Sequence, residues 1–164
     1  MTAPAVEVVG FAHGGITVAD MEASLALYRD ALGLEVELDT VRDARYQHEA
    51  LALPFRDIRM VVLVVPGEPP GRIELLEYRG ADRVAAASRP CDPASGHLCL
   101  VVRDVAAAHA RLTGLGYQSR SPGVVDVDAG ANIGGRLVYL ADPDGYWIEL
   151  LERPAAPRSE APAR

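Results

Sequence analysis

Little in this chain of 164 residues is basic or sulfur-bearing. It has no lysine, and its 16 arginines face 23 aspartates and glutamates, for a net charge of −7 at pH 7. That balance argues against general binding to nucleic acid or to a membrane surface. No basic patch with interleaved aromatics occurs either. The two cysteines, Cys91 and Cys99, lack zinc-type spacing and do not amount to a disulfide framework, so a reducing cytoplasm is the expected compartment. No apolar run approaches bilayer-spanning length, and the N-terminus lacks the basic and apolar pattern of a signal peptide. What is present, 49% hydrophobic and 24% charged residues with a mean hydropathy of +0.07, fits one globular domain with a real core.

The string Ile73-Glu74-Leu75-Leu76-Glu77 returns letter for letter as Ile148-Glu149-Leu150-Leu151-Glu152. Each copy reads as the last strand of one of two structural repeats. Strand side chains alternate faces. Glu74 therefore shares a face with Leu76 and Tyr78, and Glu149 with Trp147 and Leu151. A carboxylate among large apolar neighbours needs a partner or a metal if it is buried. The plainer alternative is a glutamate on the wet face of a half-exposed strand, and the repetition counts against it.

Taken in order, residues 10–18 read as a strand containing His13. Asp20 is a helix N-cap, Leu25, Tyr28 and Leu32 form a helical stripe, and Gly33 stops it. Strands follow over 34–38, 58–65 and 72–78, with an ambiguous polar stretch over 41–54 and a Pro- and Gly-rich turn over 66–71. Residues 79–95 are a connector. The pattern then restarts: a strand over 97–102, Asp104 as cap, a helix over 105–115 ending at Gly116, and a strand start over 117–120. A Gly-rich loop over 121–135, a strand over 136–140, a turn at Asp142-Pro143-Asp144-Gly145 and a strand over 146–151 complete it. The end of the chain, 156–164, is expected to be a disordered tail. Of the other polar residues, His48 and His109 are expected on the surface. Cys99 should share the His97 face, Glu77 and Glu152 should be solvated or paired with arginine, and Asp142 and Asp144 should serve the turn.

His13 and His97 lie 84 positions apart, as do Val18 and Val102, and Asp20 and Asp104; Glu74 and Glu149 lie 75 apart. Each repeat thus offers one histidine in its first strand and one glutamate in its last. The fold expected is α+β, two units in pseudo-twofold relation whose sheets curl around a shared cleft. A lone histidine is more often a satisfied core residue than a ligand. Two histidines and two carboxylates at matched repeat positions instead point to one divalent metal ion: nickel, cobalt, zinc, manganese or iron. Such a set leaves positions for water or a bidentate substrate.

The opening His13-Gly-Gly-Ile-Thr-Val-Ala-Asp20, the segment Leu27-Tyr-Arg-Asp-Ala-Leu-Gly-Leu34 and the ending Asp142-Pro-Asp-Gly-Tyr-Trp-Ile-Glu-Leu150 resemble the vicinal oxygen chelate superfamily. That group includes glyoxalase I, methylmalonyl-CoA epimerase, extradiol dioxygenases, fosfomycin-resistance enzymes and bleomycin-binding proteins. The resemblance implies one domain over 1–155 with two βαβββ modules, about 8–80 and 95–153, forming a cupped mixed sheet around a metal cleft. It also implies His13, Glu74, His97 and Glu149 as metal ligands, a set similar to bacterial glyoxalase I and close to the epimerases. A fourth protein ligand at Glu74 sets the chain apart from the usual two-His, one-Glu dioxygenases. Bleomycin-binding proteins lack the metal set. Two departures stand out. Tyr78-Arg79-Gly80-Ala81 holds no equivalent of the asparagine that helps glyoxalase I bind glutathione. Ala141-Asp142-Pro143-Asp144 stands where the epimerases carry a His-Pro-Lys type loop.

The function expected from the resemblance is that of a metal-dependent lyase or isomerase. Its substrate would be a small molecule with vicinal oxygens, reacting through a metal-bound enolate. Glu149, then Glu74, would be the carboxylate that moves the proton. The alternatives are an iron extradiol-type dioxygenase and a small-molecule or antibiotic binding protein without turnover. Neither nucleic acid nor membrane is an expected partner. A homodimer is, because association would cover open sheet edges.

Overall fold

Asp20 and Asp104 begin the helices that their side chains predict. Asp20 accepts from the backbone N–H groups of Glu22 and Ala23, and Asp104 from that of Ala107. The structure is a computed structural model that describes residues 7–67, 71–85 and 89–155; the expected tail over 156–164 and part of the 66–71 turn lie outside them. The chain divides into two compact units, Met1–Arg83 and Val84–Arg164.

In the first unit β1 (His13–Thr17) leads to helix α1 (Met21–Leu25), which widens into a π turn over Ala26–Ala31. Gly33, at φ +78°, lets the chain turn out of it. Strands β2 (Glu35–Arg42), β3 (Asp57–Val64) and β4 (Arg72–Arg79) complete a mixed sheet of order β1-β4-β3-β2. The ambiguous stretch resolves into the end of β2 and an added helix, α2 (Arg45–Leu51). The Gln47 side chain closes its first turn by accepting from the Ala44 backbone, and Ala52 ends it in the left-handed region at φ 52°.

The second unit repeats the plan with β5 (His97–Val101), α3 (Val105–Gly114), a two-residue β6 (Val125–Asp126), β7 (Arg136–Ala141) and β8 (Trp147–Glu152), in the order β5-β8-β7-β6. The strand expected over 117–120 is reduced to one bridge, Ser119 to Leu140, while β6 forms inside the expected loop. Local bonds compete with a longer ladder here. The hydroxyls of Ser119 and Ser121 donate to the carbonyls of Ser121 and Gly123, and Pro122 has no N–H to give.

In each unit the first strand pairs in parallel with the last, and the helix between covers one face. Ile16, Val18, Met21, Leu25, Tyr28, Val61, Leu63, Ile73 and Leu75 are buried in the first core. Val105, Leu112, Val138, Leu140, Ile148 and Leu150 are buried in the second.

The second glutamate of each repeated string faces this helix-covered side. Glu77 pairs with Arg79 at 2.9 Å and accepts from the Met21 N–H at 3.4 Å; Glu152 pairs with Arg136 at 2.7 Å and accepts from the Val105 N–H at 2.9 Å. The expected arginine pairing is present, and both acids also satisfy the first N–H of a helix, where negative charge is favoured.

The Val105 N–H and then the Arg136 guanidinium hold the Glu152 carboxyl below its ordinary value of 4.5. The stabilisation is therefore present above about pH 4.5 and is lost as the pH falls through the lowered value. Glu152→Gln is expected to lower Tm by a few degrees at pH 7 and to make the fall in Tm expected below pH 4.5 shallower than in the wild type. Thermal melts across pH 3–7 check this; parallel curves for the two proteins would contradict it.

Candidate metal centre

The face opposite each helix carries the histidines and the first glutamates. In β1 and β4, Gly15 stands against Glu74, so His13, two residues earlier, points to the same side. In β5 and β8, Cys99 stands against Glu149, and His97 again shares the side. His13 Nε2 lies 3.3 Å from Glu74 Oε2, and His97 Nε2 lies 3.2 Å from Glu149 Oε2. The glutamate side chains are 16% and 13% exposed, while the histidines are 47% and 45% exposed. Both pairs therefore have a covered carboxylate with an open imidazole beside it.

The donor chemistry fits a divalent ion. Imidazole nitrogen and carboxylate oxygen suit the first-row metals and zinc. Two neighbouring donors on a six-coordinate ion with bonds of about 2.1 Å stand roughly 3 Å apart, which is the separation inside each pair. An ordinary His–Glu ion pair would give similar distances; its occurrence at matched register in both units favours the metal. Each unit brings its own pair together. Among the described residues no group of three or more His, Cys, Asp or Glu side chains is gathered as a metal-sized cluster, so the joining of the two pairs around one ion belongs to the proposal below.

The surroundings of the pairs differ. Tyr139 on β7 stands against Glu149, and its hydroxyl donates to Glu149 Oε2 at 2.6 Å while lying 3.5 Å from His97 Nε2. Its ring meets the His97 ring edge-on at 5.3 Å. Burial first, then the hydrogen bond to Glu149 and its charge, push the Tyr139 phenol up. Burial and Glu149 likewise push the Cys99 thiol up. Sequence reasoning placed Cys99 on this face but missed Tyr139; its ten-residue lead over Glu149 across a turn is the signal that could have found it.

The remaining residues play local parts. His48 is held by Asp43 at 2.7 Å and stacks on Phe55 at 4.0 Å. His109, expected on the surface, is half-buried on α3, with Nε2 shielded and unpartnered among the described residues. Its place two residues beside Arg111 hid that it turns towards the sheet side. Asp142 accepts from the N–H groups of Asp144 and Tyr146 and shapes the expected turn. Trp147 shares the Glu149 face, with the Arg120 guanidinium 5.7 Å from its ring centre.

Residues 10–150 match the Glyoxalase/Bleomycin resistance protein/Dioxygenase superfamily. The chain belongs to this superfamily. It is 30% identical over 142 residues to a lactoylglutathione lyase of Haemophilus influenzae, covering 85% of this chain and 90% of that one. It is 32% identical over 142 residues to an ethylmalonyl-CoA/methylmalonyl-CoA epimerase of Cereibacter sphaeroides, covering 84% and 93%. A glyoxalase family protein from Bacillus cereus shares the fold with a TM-score of 0.77 at 18% identity, over 92% of this chain and 97% of that one. The α+β reading and the family resemblance of the sequence hold. Among the described residues no helix is long and apolar enough to cross a membrane.

If both pairs serve one ion, His13→Ala and His97→Ala should each weaken cobalt(II) binding by more than about 10-fold, since even partners outside the ligand set cost that much. Calorimetric titration of metal-stripped, tag-free protein measures it. Wild-type affinity in either variant would show that its pair is not needed.

Proposed function

We propose that this chain is a divalent-metal-dependent lyase or isomerase of the glyoxalase or epimerase kind, acting on a small substrate with two adjacent oxygens. The observation that carries the reading is the doubled His–Glu pair at matched register, each pair spaced like neighbouring donors on one ion. The names of its relatives, a lyase and an epimerase, support the same class. One ion per chain, nickel, cobalt, zinc, manganese or iron, would be held by His13, Glu74, His97 and Glu149.

A divalent ion, when bound, offsets negative charge that grows on a substrate oxygen as the neighbouring C–H is deprotonated. The chain's own residues do the rest. His13 and His97 each present Nε2 beside the carboxylate of their own unit, on the sheet face away from the helix. Glu149 takes the proton from carbon and returns it, with Glu74, its counterpart in the first unit, as the second candidate. Both carboxylates are largely covered, so little water competes for the proton. Trp147, on the Glu149 face, contributes an apolar wall for the substrate.

The active form is a homodimer in a reducing cytoplasm. Strand β2 is a sheet edge and exposes Val36, Leu38 and Val41, an apolar edge that association would cover. Cys91 and Cys99 are both free thiols. Light scattering at micromolar protein should give twice the chain mass; a monomer mass would contradict this.

Deuterium exchange at the acidic C–H of 2-hydroxy and 2-keto carbonyl compounds, followed by NMR with cobalt-loaded protein, tests the chemistry. Wild type should exchange at least one candidate, and Glu149→Gln should slow it by about 10²–10⁴-fold while keeping the metal. No exchange with any candidate favours a binding protein without turnover. Unchanged exchange in a fully loaded Glu149→Gln variant removes Glu149 as the base.

A further inference from the structure

The two half-sites are built on one plan but are not equivalent. The residue paired across the sheet from Glu149 is Tyr139, and the residue paired with Glu74 is Val62. On the other flank Cys99 stands against Glu149, and Gly15 against Glu74. The second unit therefore surrounds its glutamate with an O–H and an S–H, while the first offers a buried aliphatic side chain and no side chain at all.

We propose that Tyr139 is a positioning residue whose hydroxyl holds the Glu149 carboxylate in a fixed orientation for the metal ion, a hold that neither register neighbour of Glu74, Val62 or Gly15, can supply. The inference rests on the metal reading above. A phenol is a donor at neutral pH, and at 2.6 Å the bond to Glu149 Oε2 is short, as bonds to a charged acceptor are. Tyr139 stands in register with Glu149 of β8, and on its other side its carbonyl accepts from the Arg120 N–H at 2.8 Å, so its backbone is fixed on both sides. The edge-on contact with the His97 ring limits its other freedom. One rigid side chain thus sets the place of both donors of the second unit.

A carboxylate has two oxygens and about four acceptor sites. Oε2, which lies 3.2 Å from His97 Nε2, can accept from Tyr139 on one lone pair and offer the other to an ion, while Oε1 stays available to a proton on substrate carbon. Glu74 can turn about its side-chain bonds with no hydroxyl to restrain it from the Val62 or Gly15 side. Groups that orient a ligand in this way typically matter 10–100-fold for metal affinity. The two glutamates are then unequal: Glu149 is held by the Tyr139 hydroxyl as well as set beside His97, whereas Glu74 is set beside His13 without a hydroxyl on its Val62 or Gly15 flank.

Tyr139→Phe removes the hydroxyl and keeps the ring, and two measurements read the result. The first uses metal-free protein with ¹³C-labelled glutamate carboxyls. The Glu149 and Glu74 signals are identified by their loss in Glu149→Gln and Glu74→Gln. Tyr139→Phe should shift the Glu149 signal and leave that of Glu74 in place; a general packing defect would not select one carboxyl. An unmoved Glu149 signal overturns the proposal whatever the metal does. The second is cobalt(II) titration, in which Tyr139→Phe should bind about 10–100-fold more weakly than wild type with the same number of ions per chain. Equal affinity overturns the positioning role and leaves the metal reading intact. A wild type that binds no cobalt overturns both.

Discussion

The parallel pairing of the first strand of each unit with its last is the constraint from which the rest follows. Parallel neighbours cannot be joined by a tight turn and need a long crossover. Here the crossover contains the helix and the middle strands, so one pairing closes the whole unit. The repeated Ile-Glu-Leu-Leu-Glu string is the closing strand in both. Its apolar residues of one parity fill the helix-covered core. Its second glutamate, on that same side, ties the sheet to the helix N-terminus through Met21 or Val105. Its first glutamate, on the other side, meets the histidine of the opening strand. Folding and site formation are thus two faces of one strand.

The two units share one strand order and one closing string, and they differ where that closure is not involved. The first unit inserts α2 between its second and third strands and packs Phe55 against Tyr78 edge-on at 5.8 Å. The second shortens the corresponding strand to two residues. Gly135 shows how tight the second turn back to the sheet is, since a Cβ there would lie 2.5 Å from the Glu152 carbonyl oxygen. Around the paired acids, Gly15 and Val62 in one unit correspond to Cys99 and Tyr139 in the other.

The repeat made most of this visible in the sequence. The offset of 84 matched His13 with His97, the repeated string matched Glu74 with Glu149, and the caps Asp20 and Asp104 marked both helices. Period-two alternation assigned Glu149, Trp147 and Leu151 to one face and Glu152 to the other, as the register shows. What was not legible depended on individual hydrogen bonds and on strand register, which the pattern of residue types does not record. The α2 segment is polar and short, with its cap supplied by Gln47 rather than by a cap residue before it. The lost strand over 117–120 reflects serine hydroxyls bonding to nearby carbonyls, which alternation does not register. Tyr139 carries no motif; only the pairing of β7 with β8 shows that it meets Glu149.

The central claim is that both His–Glu pairs serve one ion. X-ray absorption at the cobalt edge of the loaded protein tests it most directly, because imidazole rings leave a characteristic outer-shell scattering pattern. The account predicts a first shell of nitrogen and oxygen only, at about 2.0–2.2 Å, with scattering from two imidazoles per ion. A shell containing sulfur from Cys99, or the pattern of a single imidazole, would contradict it.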